Sequence, residues 1–469
     1  MDPLPTGLPR VSNFENFEFD PFAFLRHARD EHGNAFVLRE GNAIFSRATE
    51  CPGTIALFGT EFQRAVFSDI DTFGLPQSAA LKLGLPDNLI NLNRSLHSML
   101  GDEHALQKRF LNKVLSEVNV KGYEDLILTA LDECTEIWDS IIDPLQQMRE
   151  LMFKVGCRVL FGDHHVRCEE LSNLLRAYFQ LRREVSSSAL RGQSTLHEEL
   201  SLLGHSLDAE LRIFVRDCRA DPANSGRGIL AKVATLEVTP GNLISEDEAV
   251  GHSNIFFVSI SEPMAVSMTW ILLILSQLPE LRAELRDEIR TYSGGYAYLS
   301  ATQRGKLKLL RRVIDETLRV LPPNAFMVRI TKVPTNLGGF DLPVGTEIVL
   351  CPFLAHRDVV HFAQPETFSP SRWLVESPSP FEYFPFGAGG HVCIGRQIAL
   401  HLITTALVYL LFRFDLVLSK DQEIDWRLHI MFMPKDGLEF SVSRLCPDEL
   451  ISKVGGKLLG PVGKLFSFG

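Results

Sequence analysis

The chain has 469 residues, long enough to bury a large core and, by length alone, to form two or three domains. Its apolar content of 45% and charged content of 22% are ordinary for a globular protein. A net charge of −11 argues against a nucleic-acid-binding surface, while leaving room for a local basic patch facing an acidic protein.

Met1 to Phe19 is polar, carries three prolines and lacks the charged-then-apolar pattern of a leader. The longest apolar runs, near Met268–Leu275 and Ala406–Phe412, are too short to span a bilayer. Eight cysteines are scattered with no CxxC pair, so neither a zinc site nor a disulfide framework is indicated. The expectation is a protein of the reducing cytoplasm with no transmembrane anchor. Pro21 to His32 reads as a helix, and Ala35 to Leu38, Ala43 to Phe45 and Ile55 to Phe58 read as short strands. Thr60 to Phe67 has helical apolar spacing. Residues 73–100, with Gly74, Pro76, Gly84 and Pro86, read as a long loop. Gly101 opens the next helix, which places His104 and Lys108 on one face. Such a pair is by itself a common solvated face.

From Val120 to Ala220 helix follows helix, and Glu170 to Leu211 is rich in Leu with Tyr178 and Phe179. His164, His165, His197 and His205 have no acidic or cysteine partner in a metal-site pattern and read as surface or core residues. Ser245-Glu246-Asp247-Glu248 is a capping box that starts a helix running to about Leu278, with Pro279 at its exit. At ~1.5 Å per residue this helix is roughly 50 Å long. Pro263 sits inside it beside Ser261 and Glu262, removing a backbone N–H and predicting a kink. Residues 308–321 form an amphipathic helix on which Glu316 and Arg319 share a face, alone a pair worth little. Pro322-Pro323 ends it, and Val328–Lys332, Glu347–Leu350, Phe414–Leu418 and Leu438–Val442 read as strands. Beyond Cys446 the chain carries Lys453, Lys457, Lys464 and five glycines with no acid after Ile451. That composition fits a flexible tail, 446–469, appended to one domain over 1–445.

The most informative stretch is Phe384-Pro385-Phe386-Gly387-Ala388-Gly389-Gly390-His391-Val392-Cys393-Ile394-Gly395-Arg396. One cysteine ends a glycine-rich loop and feeds an apolar helix marked by Ile398, Leu402, Ala406 and Leu410. Free backbone N–H groups and the positive dipole end of that helix favour a thiolate there. Glycines allow tight turns and the approach of a flat ligand, and such a thiolate suits the axial position of a haem iron. The plain alternative is a buried structural cysteine.

At these residues the sequence resembles the cytochrome P-450 superfamily, whose pattern Phe-x-x-Gly-x-Arg-x-Cys-x-Gly reads here Phe386, Gly389, His391, Cys393 and Gly395. His391 stands where arginine is usual. Three further signatures follow in order: the His104/Lys108 pair, the Glu316-x-x-Arg319 helix, and Phe368-x-Pro370-x-Arg372-Trp373. The resemblance covers roughly residues 10–445. It implies one mainly helical domain with a small β region, and haem b between the long central helix and the Cys393 helix. Cys393 would be the iron ligand, with His104, Lys108, Arg329 and His391 on the propionates and Phe386 and Gly395 framing the thiolate. Glu316, Arg319 and Arg372 would lock together as a structural cluster. The central-helix motif Ala/Gly-Gly-x-Asp/Glu-Thr-Thr aligns with Ser259-Ile260-Ser261-Glu262-Pro263-Met264. Glu262 keeps the proton-relay acid, while Pro263 replaces the alcohol that helps deliver protons to oxygen, leaving Ser259, Ser261 or water to substitute.

The resemblance implies an oxidoreductase of the monooxygenase type acting on a small apolar or aromatic molecule. Electrons would come from a ferredoxin or flavodoxin and its reductase, docked with the help of Lys113 and Arg396. Two other readings stay open. Pro263 fits an enzyme that uses peroxide, rearranges an oxygenated substrate or couples two substrate radicals. A haem-binding sensor or carrier without turnover is the reading from another class.

Overall fold

The structure is a computed structural model that describes residues 2–12, 14–46, 50–76, 87–96, 98–99, 101–115, 121–138, 140–162, 167–188, 195–222, 228–293, 299–428, 431–445 and 455–468. The chain divides into two compact units. One comprises Met1–Arg109, Asn324–Pro365 and Glu376–Cys393; the other comprises Phe110–Pro323, Glu366–Val375 and Ile394–Gly469.

The first unit is built on a five-stranded mixed sheet whose strands come from distant parts of the sequence. Ala35–Glu40 pairs antiparallel with Gly53–Leu57, which runs parallel to Glu347–Leu350; Met327–Thr331 and then Phe73–Gly74 follow, antiparallel. Alternate apolar residues (Val37, Ile55, Leu57, Ile348 and Leu350) meet Val66 and Phe67 of the helix Thr60–Ser68, together with Phe384 and Ala388. The Cys393 loop is thereby rooted in this core through Phe384.

Two expectations need correction here. Ala43–Phe45 forms no strand. The N–H groups of Ile44, Phe45 and Ser46 instead point at the buried Glu347 carboxylate, Phe45 at 2.9 Å, joined by the Thr54 hydroxyl. The side chain takes the bonds a neighbouring strand would have accepted. Within residues 73–100, Asp87–Leu92 is a helix, Phe73–Gly74 is a strand, and 77–86 lies outside the described residues.

The second unit is helical. Its central helix, Glu246–Ser276, begins at the capping box: Ser245 Oγ accepts from the Glu248 N–H and the Glu248 carboxylate accepts from the Ser245 N–H. It continues through Pro263, and the unbroken buried run Met264–Ser276 forms the unit's core. By length and composition this helix could cross a membrane, but 72% of its most apolar window is buried inside the protein. Pro279 is the first residue of the following helix, Pro279–Ser293, so it ends one helix by starting another. Helices Pro144–Phe161, Cys168–Ser188 and Thr195–Ala220 supply the helical run expected from Val120 to Ala220. His164 and His165 lie outside the described residues.

The central helix packs closely on Pro144–Phe161. A Cβ added at Gly156 would lie 3.1 Å from Ile260 Cγ2. Isoleucine stands in the central helix where the resembled pattern has glycine, and the facing helix supplies the small residue instead.

In the described part of the tail, residues 455–468, the chain pairs with other segments of the second unit. Leu458–Leu459 pairs in parallel with Gln422–Glu423 and Ser467–Phe468 with Thr367–Phe368, while Val462 and Phe466 are buried. Glycines here permit close approach rather than looseness: a Cβ at Gly456 would lie 1.9 Å from the Lys420 backbone.

Candidate functional site

Within the first unit the structure gathers Cys393, His391, Phe386, His104, Lys108 and Arg329. The loop is closed by the Cys393 N–H donating to the Phe386 carbonyl at 2.9 Å. Gly387 and Gly389 have φ of 72° and 62°, a region costly for any residue with a Cβ. A Cβ at Gly389 would lie 1.9 Å from the Phe67 carbonyl oxygen, and one at Gly390 would lie 2.5 Å from Ile70. These two glycines therefore serve the seating of the loop on the end of helix Thr60–Ser68, a reason the sequence did not reveal.

Helix Gly101–Val114 brings His104 and Lys108 onto this loop. Lys108 Nζ donates to the carbonyls of Gly390 at 2.5 Å and Val392 at 2.8 Å. Burial pushes its pKa below the ordinary lysine value, and the Cys393 charge acts in the opposite direction. His104 is buried and meets His391 edge to face, with ring centroids 4.5 Å apart. The spacing His104–Lys108 thus makes one helix face that grips the Cys393 loop rather than a solvated one.

Arg329, on strand Met327–Thr331, is 4% exposed. Its guanidinium lies 5.2 Å from the centre of the Phe67 ring and donates to the Val328 carbonyl at 2.9 Å. Among the described residues no carboxylate pairs with it and its Nε has no partner, and burial alone pushes its pKa down to about 10. A buried unpaired cation is expensive unless an anion completes it. The donor set of Arg329, Lys108 and two imidazoles beside a cysteine suits a carboxylate-bearing group with a thiolate-bound metal, so haem fits these residues.

The second unit holds Ser261, Glu262, Pro263 and Gly395. Gly395 caps helix Arg396–Arg413, accepting from the Ala399 N–H at 2.8 Å, two residues beyond Cys393. Ser261 Oγ donates to the Phe257 carbonyl at 3.1 Å, so that hydroxyl is engaged with its own helix, whereas Ser259 is exposed. Pro263 has no N–H to return to the Ser259 carbonyl, and its own carbonyl accepts from Ser267 Oγ at 2.8 Å.

Glu262 has a partner that sequence reasoning missed. Arg149, on helix Pro144–Phe161, donates through Nε at 3.1 Å and Nη2 at 2.6 Å to Glu262 Oε1. Nη2 also lies 3.4 Å from Met433 Sδ. The residues are 113 positions apart and share no local motif, so no sequence signal pointed to the pair.

The structural cluster forms as the resemblance implied. Glu316 and Arg319 are wholly buried and Arg372 nearly so. Arg319 binds both Glu316 oxygens at 2.9 and 3.0 Å, and Arg372 Nε binds one at 3.0 Å. The Ser369 N–H and Trp373 Nε1 complete the carboxylate at 2.8 and 3.0 Å. Three of these bonds reach Glu316 Oε1 and two reach Oε2, and such multiple hydrogen bonding is the condition under which a buried charge is tolerated.

A family model described as Cytochrome P450 matches residues 89–440. The mitochondrial 25-hydroxyvitamin D-1 alpha hydroxylase of Rattus norvegicus is 33% identical over 178 residues, covering 37% of this chain and 36% of that enzyme's length. Cyclooctatin synthase of Streptomyces melanosporofaciens is 26% identical over 65% of this chain and 69% of its own. Among solved structures, the retinoic acid bound cyanobacterial CYP120A1 superposes with a TM-score of 0.78 at 21% identity, covering 94% of this chain and 99% of that one.

Proposed function

Since the chain belongs to the cytochrome P450 family, we propose that it is a haem-thiolate oxidoreductase of the monooxygenase type that oxidises a small, largely apolar or aromatic molecule. When bound, haem b would supply the redox chemistry for oxidising the substrate, made electron-rich by a cysteine thiolate ligand. Cys393 is that ligand in this reading, framed by Phe386 and Gly395. Lys108, Arg329, His104 and His391 hold the propionates. The observation that carries the reading is Arg329, a buried guanidinium with no acidic partner among the described residues, in the same unit as the Cys393 loop. Relatives named as a hydroxylase, a synthase and, for Streptomyces melanosporofaciens, cyclooctat-9-en-7-ol 5-monooxygenase support oxidation of an organic substrate.

Glu262 holds a proton-transfer position in this reading, and Arg149 fixes the orientation of its carboxylate through two hydrogen bonds to Oε1. Residues 1–445 act as the haem domain. A separate ferredoxin or flavodoxin with its reductase supplies electrons, and the exposed Lys113 and Arg396 contribute to its docking. The absence of disulfides among the described residues fits a reducing cytoplasm.

The test is an absorption titration of the haem-loaded ferric protein against fatty acids, terpenoids, sterols and indoles, with Cys393→Ser as control. A spin-state shift for one chemical class names the substrate family. No haem absorbance after cofactor supplementation overturns the assignment.

A second reading is favoured by one observation: Pro263 stands at the relay alcohol's position while Ser261 Oγ is bonded to Phe257. The enzyme then uses peroxide, rearranges an oxygenated substrate or couples radicals. Pro263→Thr separates the two. An increased oxygen-insertion yield supports simple loss of a relay group, and an unchanged or lower yield supports the second reading.

A further inference from the structure

Gln277 caps the C-terminal end of the central helix. Its side-chain amide donates to the Gly456 carbonyl at 3.0 Å and accepts from the Leu458 N–H at 2.8 Å, so one side chain stands in for a neighbouring strand. The chain then runs beside Gln422–Glu423: the Gln422 N–H donates to Lys457 O and the Ile424 N–H to Leu459 O, each at 3.0 Å, and the Val462 N–H returns to Ile424 O at 2.9 Å. Val462 and Phe466 are buried beneath it.

The strap ends on a sensitive point. The Ser467 N–H donates to the Glu366 carbonyl at 2.8 Å, and the Ser467 and Thr367 hydroxyls lie 3.2 Å apart. The Thr367 carbonyl is also the shared acceptor of Arg319 at 3.0 Å and Arg372 at 2.9 Å, the two guanidiniums that neutralise buried Glu316. The tail therefore joins the end of the central helix to the edge of the buried ion cluster. The Glu366–Val375 segment it presses on continues in sequence to Cys393.

We propose that residues 455–468 form a reversible latch. Docked, it holds the Arg372-bearing segment against Glu316. Released, it lets that segment, and the loop leading to Cys393, loosen. A short strap held by a few backbone hydrogen bonds and two buried apolar side chains opens below the free energy of global unfolding. The consequence for haem rests on the haem-thiolate reading, whereas the consequence for Glu366–Val375 does not.

Hydrogen exchange on the full-length protein tests the latch. Gly456→Val pries the strap off, because its Cβ would sit 1.9 Å from the Lys420 carbonyl carbon and oxygen. Ser467→Pro is the mild companion, deleting one N–H donor at an exposed position. In both variants amides of 366–375 should exchange faster, by about tenfold or more for Gly456→Val, while those of 265–275 keep their protection. Unchanged protection of 366–375 in both variants overturns the proposal. Faster exchange in a protein that takes up no haem would uphold the latch and refute the haem assignment.

Discussion

Replacing Arg149 by leucine removes the guanidinium that holds Glu262 while keeping an apolar side chain against Met433. The parent pair is nearly buried, with 15% and 18% of the two side chains exposed, and both bonds run to one carboxylate oxygen, the shorter at 2.6 Å. It lies between two regimes. Exposed ion pairs contribute about 0–1 kcal/mol, and removing one partner of a fully buried pair costs about 3–5 kcal/mol. A residual exposure near one sixth places Arg149→Leu between these regimes and nearer the buried one, at about 2–3 kcal/mol of lost stability at neutral pH. Most of that cost is the stranded Glu262 charge, so Arg149→Leu combined with Glu262→Leu should recover more than half of it. The assay is a double-mutant cycle on urea midpoints at equal haem saturation. A coupling energy below about 0.5 kcal/mol, the scatter of independent sites, would refute the view that Arg149 exists to hold Glu262.

Three further outcomes are expected. Gly156→Val should cost about 1–3 kcal/mol by overpacking, since a Cβ alone approaches Ile260 to 3.1 Å; urea unfolding should show the loss and Ile260→Ala should partly reverse it. Burial raises the Glu347 carboxyl above its ordinary range despite the N–H groups of Phe45, Ser46 and Ile44. The folded state therefore binds this proton more tightly than the unfolded chain. Its contribution is full below the unfolded value of about 4.3 and is lost as pH rises through the folded value. The stability of the parent relative to Glu347→Gln should accordingly decline between acid and neutral pH, and a flat or rising difference would contradict this. Lys108→Met deletes two charge-assisted bonds to the Gly390 and Val392 carbonyls. It should speed haem transfer to an apoprotein acceptor several-fold, about fivefold if ~1 kcal/mol of loop anchoring is lost.

The legible parts of this protein were those with local physics. Helix Pro21–His32, the Ser245 capping box, the amphipathic helix over Glu316 and Arg319, and the strand Glu347–Leu350 each follow from periodicity, caps and turn residues within a short window. The Ala43–Phe45 expectation failed because Glu347, some three hundred residues away, captures those N–H groups. In the tail, Gly456 is small because the Lys420 backbone passes there, a close approach that glycine content alone does not announce.

For the site, the sequence by itself determined the glycine-rich loop around Cys393, the shared face of His104 and Lys108, and the Glu316–Arg319 spacing. Each depends on the geometry of one turn or one helix. Only the tertiary structure decided that Arg149 binds Glu262, that Gly156 makes room for Ile260, that Arg329 is buried with no acidic partner among the described residues, and that the tail reaches Thr367. These are contacts between segments far apart in the chain. Local preferences set which elements form, whereas shape and charge complementarity between distant elements exist only once the chain has packed.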